Sequence, residues 1–176
     1  MPHNQDVLGS TAEEVVRLAK CPVLTVGAEA RRTLEGGVRK ILAPIGFSAP
    51  SMKALDAAKD LAGKLGASLD LLHVIEPVAM PVPYGVAFPS VTTPEVFENA
   101  KKALQKSEEG MAGLQVAIHV EHGIPENVIK AYARENETDL IVMASHGLTG
   151  IDRFVHGSVS QEVLRQASCP VYTVKC

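Results

Sequence analysis

The strongest constraint on how this chain can fold is an internal repeat. Residues Leu8 to Val26 align without a gap on His156 to Val174, with Gly9/Gly157, Ser10/Ser158, Arg17/Arg165, Cys21/Cys169, Pro22/Pro170 and Val26/Val174 identical. Both copies read as a helix opening at Gly-Ser, a turn at Cys-Pro and a short β-branched strand. The second copy closes a long series of elements, whereas the first has almost nothing ahead of it. The sequence therefore divides into three stretches. Residues 1–27 read as the C-terminal helix and strand of an upstream domain, residues 28–37 as a linker ending in Gly36-Gly37, and residues 38–176 as one complete domain.

Within that domain, strands and helices alternate. Arg39 to Ile45 predicts a first strand, and Ser48 caps a helix from about Pro50 to Leu65 that stops at Gly66. Leu69 to Ile75 predicts a second strand, apolar apart from Asp70 and His73, as a strand covered on both faces should be. Residues 77–93 form a proline-rich loop. A helix from Thr93-Pro94 to about Glu109, a strand Val116 to Val120, a helix Pro125 to Asn136 and a strand Leu140 to Met143 follow. A helix Gly157 to Ala167 and a strand Val171 to Lys175 complete the series. Such alternation requires right-handed crossovers and a parallel sheet. The expected fold class is α/β: a doubly wound, Rossmann-like parallel sheet of five strands.

Composition narrows function mainly by exclusion. The formal net charge is -3 and no polybasic surface is evident, so neither nucleic acid nor anionic lipid is an expected partner. Aromatic residues make up 4% of the chain and tryptophan is absent, which removes the stacking platforms that single strands need. No apolar run is long enough to span a bilayer. Cys21, Cys169 and Cys176 have no metal-ligand spacing. An odd thiol count without an export signal points to a reducing compartment, the cytoplasm.

In a doubly wound sheet, ligands bind beyond the C-terminal ends of the strands where strand order reverses. That rule selects Pro44 to Phe47, Val74 to Glu76 and Ala144 to Ser160. The third segment is rich in small residues that let a ligand approach the backbone. Gly157-Ser158 then opens a helix whose first-turn N–H groups and dipole favour an anion, by about 0.3–1 kcal/mol from the dipole alone. The hydroxyls of Ser158 and Ser160 add donors, so phosphate fits there without a lysine.

On these residues the sequence resembles the universal stress protein family. Its ATP-binding members carry a glycine, two residues, a glycine, nine residues and then Gly-Ser or Gly-Thr. Here Gly147, nine residues and Gly157-Ser158 match that spacing, and Ala144 stands where the first glycine is usual. Ile41-Leu42-Ala43-Pro44, Leu71-Leu72-His73-Val74, Asp139-Leu140-Ile141-Val142-Met143 and Cys169-Pro170-Val171 extend the resemblance over residues 38–176. The tail at residues 8–26 is similar to the end of a second such domain, as in tandem members. The resemblance implies that Pro44 and Ile45 border the nucleoside and that Val74 meets adenine through its backbone. It implies further that Met143, Ala144, His146 and Gly147 line the phosphate loop, and that Gly157, Ser158, Val159 and Ser160 hold the phosphates. The implied ligand is ATP, with any Mg2+ bound through its phosphates. One position departs from the pattern: Gly46 replaces the usual Asp, removing a polar contact near the nucleoside.

Plainer readings stand beside these. Gly157-Ser158 also suits an ordinary helix start, His146 a loop histidine bonded to backbone, and His73 a satisfied core residue. Cys21 and Cys169 each precede a proline, which fits a turn better than a reactive thiol. The sequence supplies no strong general base, arginine finger or P-loop lysine. The expected function is thus an ATP-binding regulatory module of the stress-response type with little or no hydrolysis, at most a slow ATPase. The alternative is a protein-interaction or dimerisation domain of the same fold that does not hold nucleotide. The resemblance also implies dimerisation through the last strands, so that Val23 to Val26 pairs with Val171 to Val174, within one chain or between the two chains of a homodimer.

Overall fold

The computed structural model describes residues 9–27, 30, 36–77, 93–145 and 158–175. Eleven elements follow in order among these residues: α1 (Ser10–Leu18), β1 (Val23–Thr25), β2 (Lys40–Pro44), α2 (Ala49–Leu65), β3 (Ser68–Ile75), α3 (Pro94–Glu108), β4 (Val116–His122), α4 (Pro125–Glu135), β5 (Leu140–Ser145), α5 (Ser158–Gln166) and β6 (Val171–Lys175). Local chemistry sets several of the boundaries. Ser48 accepts a hydrogen bond from the Ser51 N–H to open α2, and Gly66 closes it in the left-handed conformation at φ 65°. Proline stands at the first turn of α2, α3 and α4, where its missing N–H leaves no gap in the helix.

The strands form one sheet in the order β1-β6-β5-β2-β3-β4. The five strands from β2 to β6 are mutually parallel, as alternation with helices requires. The expectation of five strands needs one correction. The sheet has six, because β1 adds to the β6 edge, antiparallel to it. β1 belongs to the repeated segment, outside the strand–helix alternation of residues 38–176 from which the parallel direction was expected.

Two apolar layers cover the sheet. On one face Ile41, Ala43, Ile45, Leu69, Leu71 and Val142 meet Leu55, Ala58 and Ala62 of α2 and Leu104 of α3. On the other, Leu42, Leu72, Ile141 and Met143 meet Ile129, Tyr132 and Ala133 of α4, Val163 and Leu164 of α5, and Val16 of α1. The near-continuous burial of β2 and β3 follows from this double cover. A carboxylate fixes the opposite end of the sheet: Asp139 Oδ2 accepts the backbone N–H groups of Arg39 and Lys40, both at 2.9 Å, and holds the start of β2 against β5.

Candidate functional site

Strand order reverses at β2 and β5. From β2 the chain passes through α2 to β3 on one side, and from β5 through α5 to β6 on the other. Since α2 and α5 cover opposite faces, the two connections part and leave a crevice beyond the strand ends. Three of the expected segments end there on adjacent strands: Pro44-Ile45 after β2, Val74 near the end of β3, and Met143-Ala144 near the end of β5.

The side chains do not all face that crevice. Ile45 and Met143 are 3% and 6% exposed and lie in the two cores, so only their main chains are available to a ligand. The side chain of Val74 packs on the α4–α5 layer. Its peptide group is placed differently. The Leu72 C=O accepts from Ile45 N at 2.8 Å, whereas the Ile75 C=O accepts from Gly123 N at 3.1 Å. Even-numbered residues of β3 therefore aim their N–H and C=O toward β2, and odd-numbered residues toward β4. β2 pairs with β3 only as far as Pro44 opposite Leu72. The Val74 donor and acceptor thus point past the end of β2, along the edge of the crevice.

The loop after β2 has its own geometry. His73 Nδ1 lies 2.7 Å from the Ile45 carbonyl oxygen, which satisfies this strand histidine as a core residue would be. The Phe47 ring packs on it at 4.7 Å between centroids while the Phe47 backbone holds φ at 55°, a left-handed value that bulky residues rarely adopt. A Cβ added at Gly46 would meet no atom of the described residues within 4 Å. Ala144 keeps negative φ within β5 and its methyl group is tolerated without strain.

At the start of α5, Val159 packs against the α4–α5 layer and Ser160 is buried. Ser158 is the first residue of α5, and its side chain is not described. His146, Gly147 and Gly157 lie outside the described residues, as does the loop of residues 78–92. Burial pushes the Cys169 thiol up to about 12, in keeping with a turn residue and not a nucleophile.

One buried polar pair was not anticipated. Asp70, the acid of β3, accepts from the Tyr132 hydroxyl at 2.9 Å. The acid inside the strand was the available signal; its partner on α4 was not legible. Among the described residues no cluster of His, Cys, Asp or Glu could hold a metal, and no helix is long and apolar enough to cross a membrane.

The sequence model of the universal stress protein family matches residues 37–175. Universal stress protein MJ0531 of Methanocaldococcus jannaschii is 32% identical over 151 residues, which is 82% of this chain and 86% of that one. Universal stress protein YxiE of Bacillus subtilis is 33% identical over 145 residues, 77% of this chain and 98% of its own. Two solved structures frame the architecture. A universal stress protein in complex with cAMP superposes with TM-score 0.58 at 20% identity, over 78% of this chain and 97% of that one. A universal stress protein from Archaeoglobus fulgidus reaches TM-score 0.70 at 24% identity; it covers 99% of this chain, whereas this chain spans 59% of its length.

Proposed function

Because this chain belongs to the universal stress protein family, we propose that it binds ATP at the β2–β5 crevice and acts as a regulatory module in stress response. The observation that carries this reading is the free peptide edge of Val74 beside the point where strand order reverses. A donor and an acceptor side by side at a strand end offer the pattern that a flat, hydrogen-bonding heterocycle such as adenine can use. The oligophosphate then runs past Pro44, Ile45, Met143 and Ala144 through the segment of His146 and Gly147. It reaches Gly157, Ser158, Val159 and Ser160, where the first-turn amides of α5 favour negative charge. Any Mg2+ rides on the phosphates. That a protein of this fold was solved with cAMP supports the scaffold's capacity for an adenine nucleotide.

The groups supplied at the strand ends are main-chain amides and small side chains. Mass spectrometry of the native protein should find bound adenine nucleotide, and calorimetry with ATP and Mg2+ should register binding. Replacing Gly157 and Ser158 together by leucine should weaken that binding at least tenfold while circular dichroism keeps its α/β signature. Unchanged affinity in that variant removes the reading and leaves the protein-interaction alternative.

A further inference from the structure

Past Pro44 the chain leaves the sheet. Pairing of β2 with β3 ends at Pro44 opposite Leu72, and pairing with β5 ends earlier, at Leu42 opposite Ile141. α2 does not begin until Ala49, with Ser48 as its cap. Ile45, Gly46 and Phe47 therefore lie at the crevice beyond the paired part of β2. Segments with few main-chain bonds sit at the low-stability end of a structure unless other contacts tie them down.

Here the ties come from two consecutive residues of β3. The Leu72 carbonyl accepts the Ile45 N–H at 2.8 Å, and His73 Nδ1 donates to the Ile45 carbonyl at 2.7 Å. Ile45 is thus held at both of its main-chain groups. A carbonyl oxygen only accepts, so Nδ1 carries the hydrogen and neutral His73 is the Nδ1–H tautomer. The alternation of β3 makes this grip possible. Leu69 and Leu71 lie in the α2–α3 layer, so the His73 ring stands on that same face while its peptide group is turned toward β4. The ring also carries Phe47, with centroids 4.7 Å apart and planes at 43°. Phe47 is exposed and holds φ at 55°, a backbone that a bulky side chain rarely keeps without support. Next along β3 comes Val74, whose free donor and acceptor point past the end of β2.

We propose that His73 is a positioning residue for the nucleoside. Its bond to Ile45 and its contact with the Phe47 ring hold the loop of residues 45–47 at a fixed distance from the Val74 edge. The wall of the crevice is then formed before a ligand arrives. A ligand that enters between a preset wall and a preset edge does not bear the cost of ordering the loop. This role rests on the nucleotide reading above and adds to it a residue whose own side chain need not touch the ligand. What matters at position 73 is the donor at Nδ1, beyond the volume of the ring.

Calorimetry with ATP and Mg2+ on the parent and on variants at position 73 tests this role. His73→Leu keeps an apolar body without a donor and should weaken ATP binding by about fivefold or more. His73→Asn places an amide N–H near the position of Nδ1 and should recover affinity to within about twofold of the parent. Nitrogen NMR of the ligand-free parent, which needs no variant, should show neutral His73 protonated at Nδ1. Equal ATP affinity in His73→Leu and the parent would overturn the role of His73 and leave ATP binding standing. So would an asparagine variant as weak as the leucine one, or an Nε2–H tautomer in the spectrum. A parent that binds no ATP overturns the nucleotide reading itself, and this role with it.

Discussion

At the scale of the residue, the loop after β2 combines two unusual choices. Gly46 stands in open space with no left-handed requirement, while the next residue, Phe47, carries the left-handed backbone that glycine would accept without strain. The ring contact with His73 offsets part of that strain, since aromatic pairs contribute about 0.5–1.5 kcal/mol beyond their buried area. Gly46→Asp places a carboxylate beside the proposed nucleoside site, at a position where an added Cβ meets no atom of the described residues within 4 Å. It should change stability by less than about 0.5 kcal/mol, as surface substitutions do. ATP should bind at least about tenfold more tightly, in line with a hydrogen bond to a charged group worth about 1.5–3 kcal/mol. Calorimetry on the variant and the parent checks both the sign and the size. The identity of residue 46 was plain in the sequence; the backbone angle of Phe47 was not, because nothing in a phenylalanine codon announces positive φ.

At the scale of the element, caps and breakers were legible and long-range ties were not. Ser48, Gly66 and the helix-opening prolines act within a turn of their own position, so spacing alone revealed them. The expected helices and strands accordingly end within a few residues of the observed ones. The hydrogen bond from Tyr132 to Asp70 joins α4 to β3 across 62 positions, and no local pattern encodes it. It ties that helix to the sheet through a buried polar contact. Removing the donor in Tyr132→Phe leaves a buried carboxylate without this partner and should cost about 1–3 kcal/mol near neutral pH. Burial first, then the bond to Asp70, raises the pKa of Tyr132 above the ordinary tyrosine value of about 10. A raised folded-state pKa means that the stabilisation is fully present below the unfolded value and is lost as pH climbs past it. Melting curves of the parent should therefore fall more steeply above pH 10 than those of Tyr132→Phe. Parallel curves would show that the hydroxyl carries no such linkage.

At the scale of the whole molecule, β1 covers an edge that would otherwise lie open. Without it, Val171 to Thr173 would present unpaired N–H and C=O groups along an apolar strand, an invitation to another chain. Deleting residues 1–27 should let two chains pair β6 with β6, because β1 already shows the antiparallel geometry that such a contact takes. Light scattering at micromolar concentration reads the mass directly, and a truncated chain that stays monomeric contradicts the expectation. The parallel direction of β2 to β6 was readable from strand–helix alternation, since right-handed crossovers require it. The pairing of Val23–Thr25 with Val171–Thr173 was expected from the repeat, but its antiparallel direction was not, since alternation within residues 38–176 says nothing about a strand from outside that stretch.

The register between β1 and β6 also bears on how such a chain can change over generations. Copying either segment onto the other would turn the central pair, Leu24 opposite Tyr172, into Leu–Leu or Tyr–Tyr and leave each main-chain bond of the seam where it stands. Recombination between the two stretches of gene is thus structurally quiet at this seam, and the copies can be homogenised or drift apart without relearning how to meet.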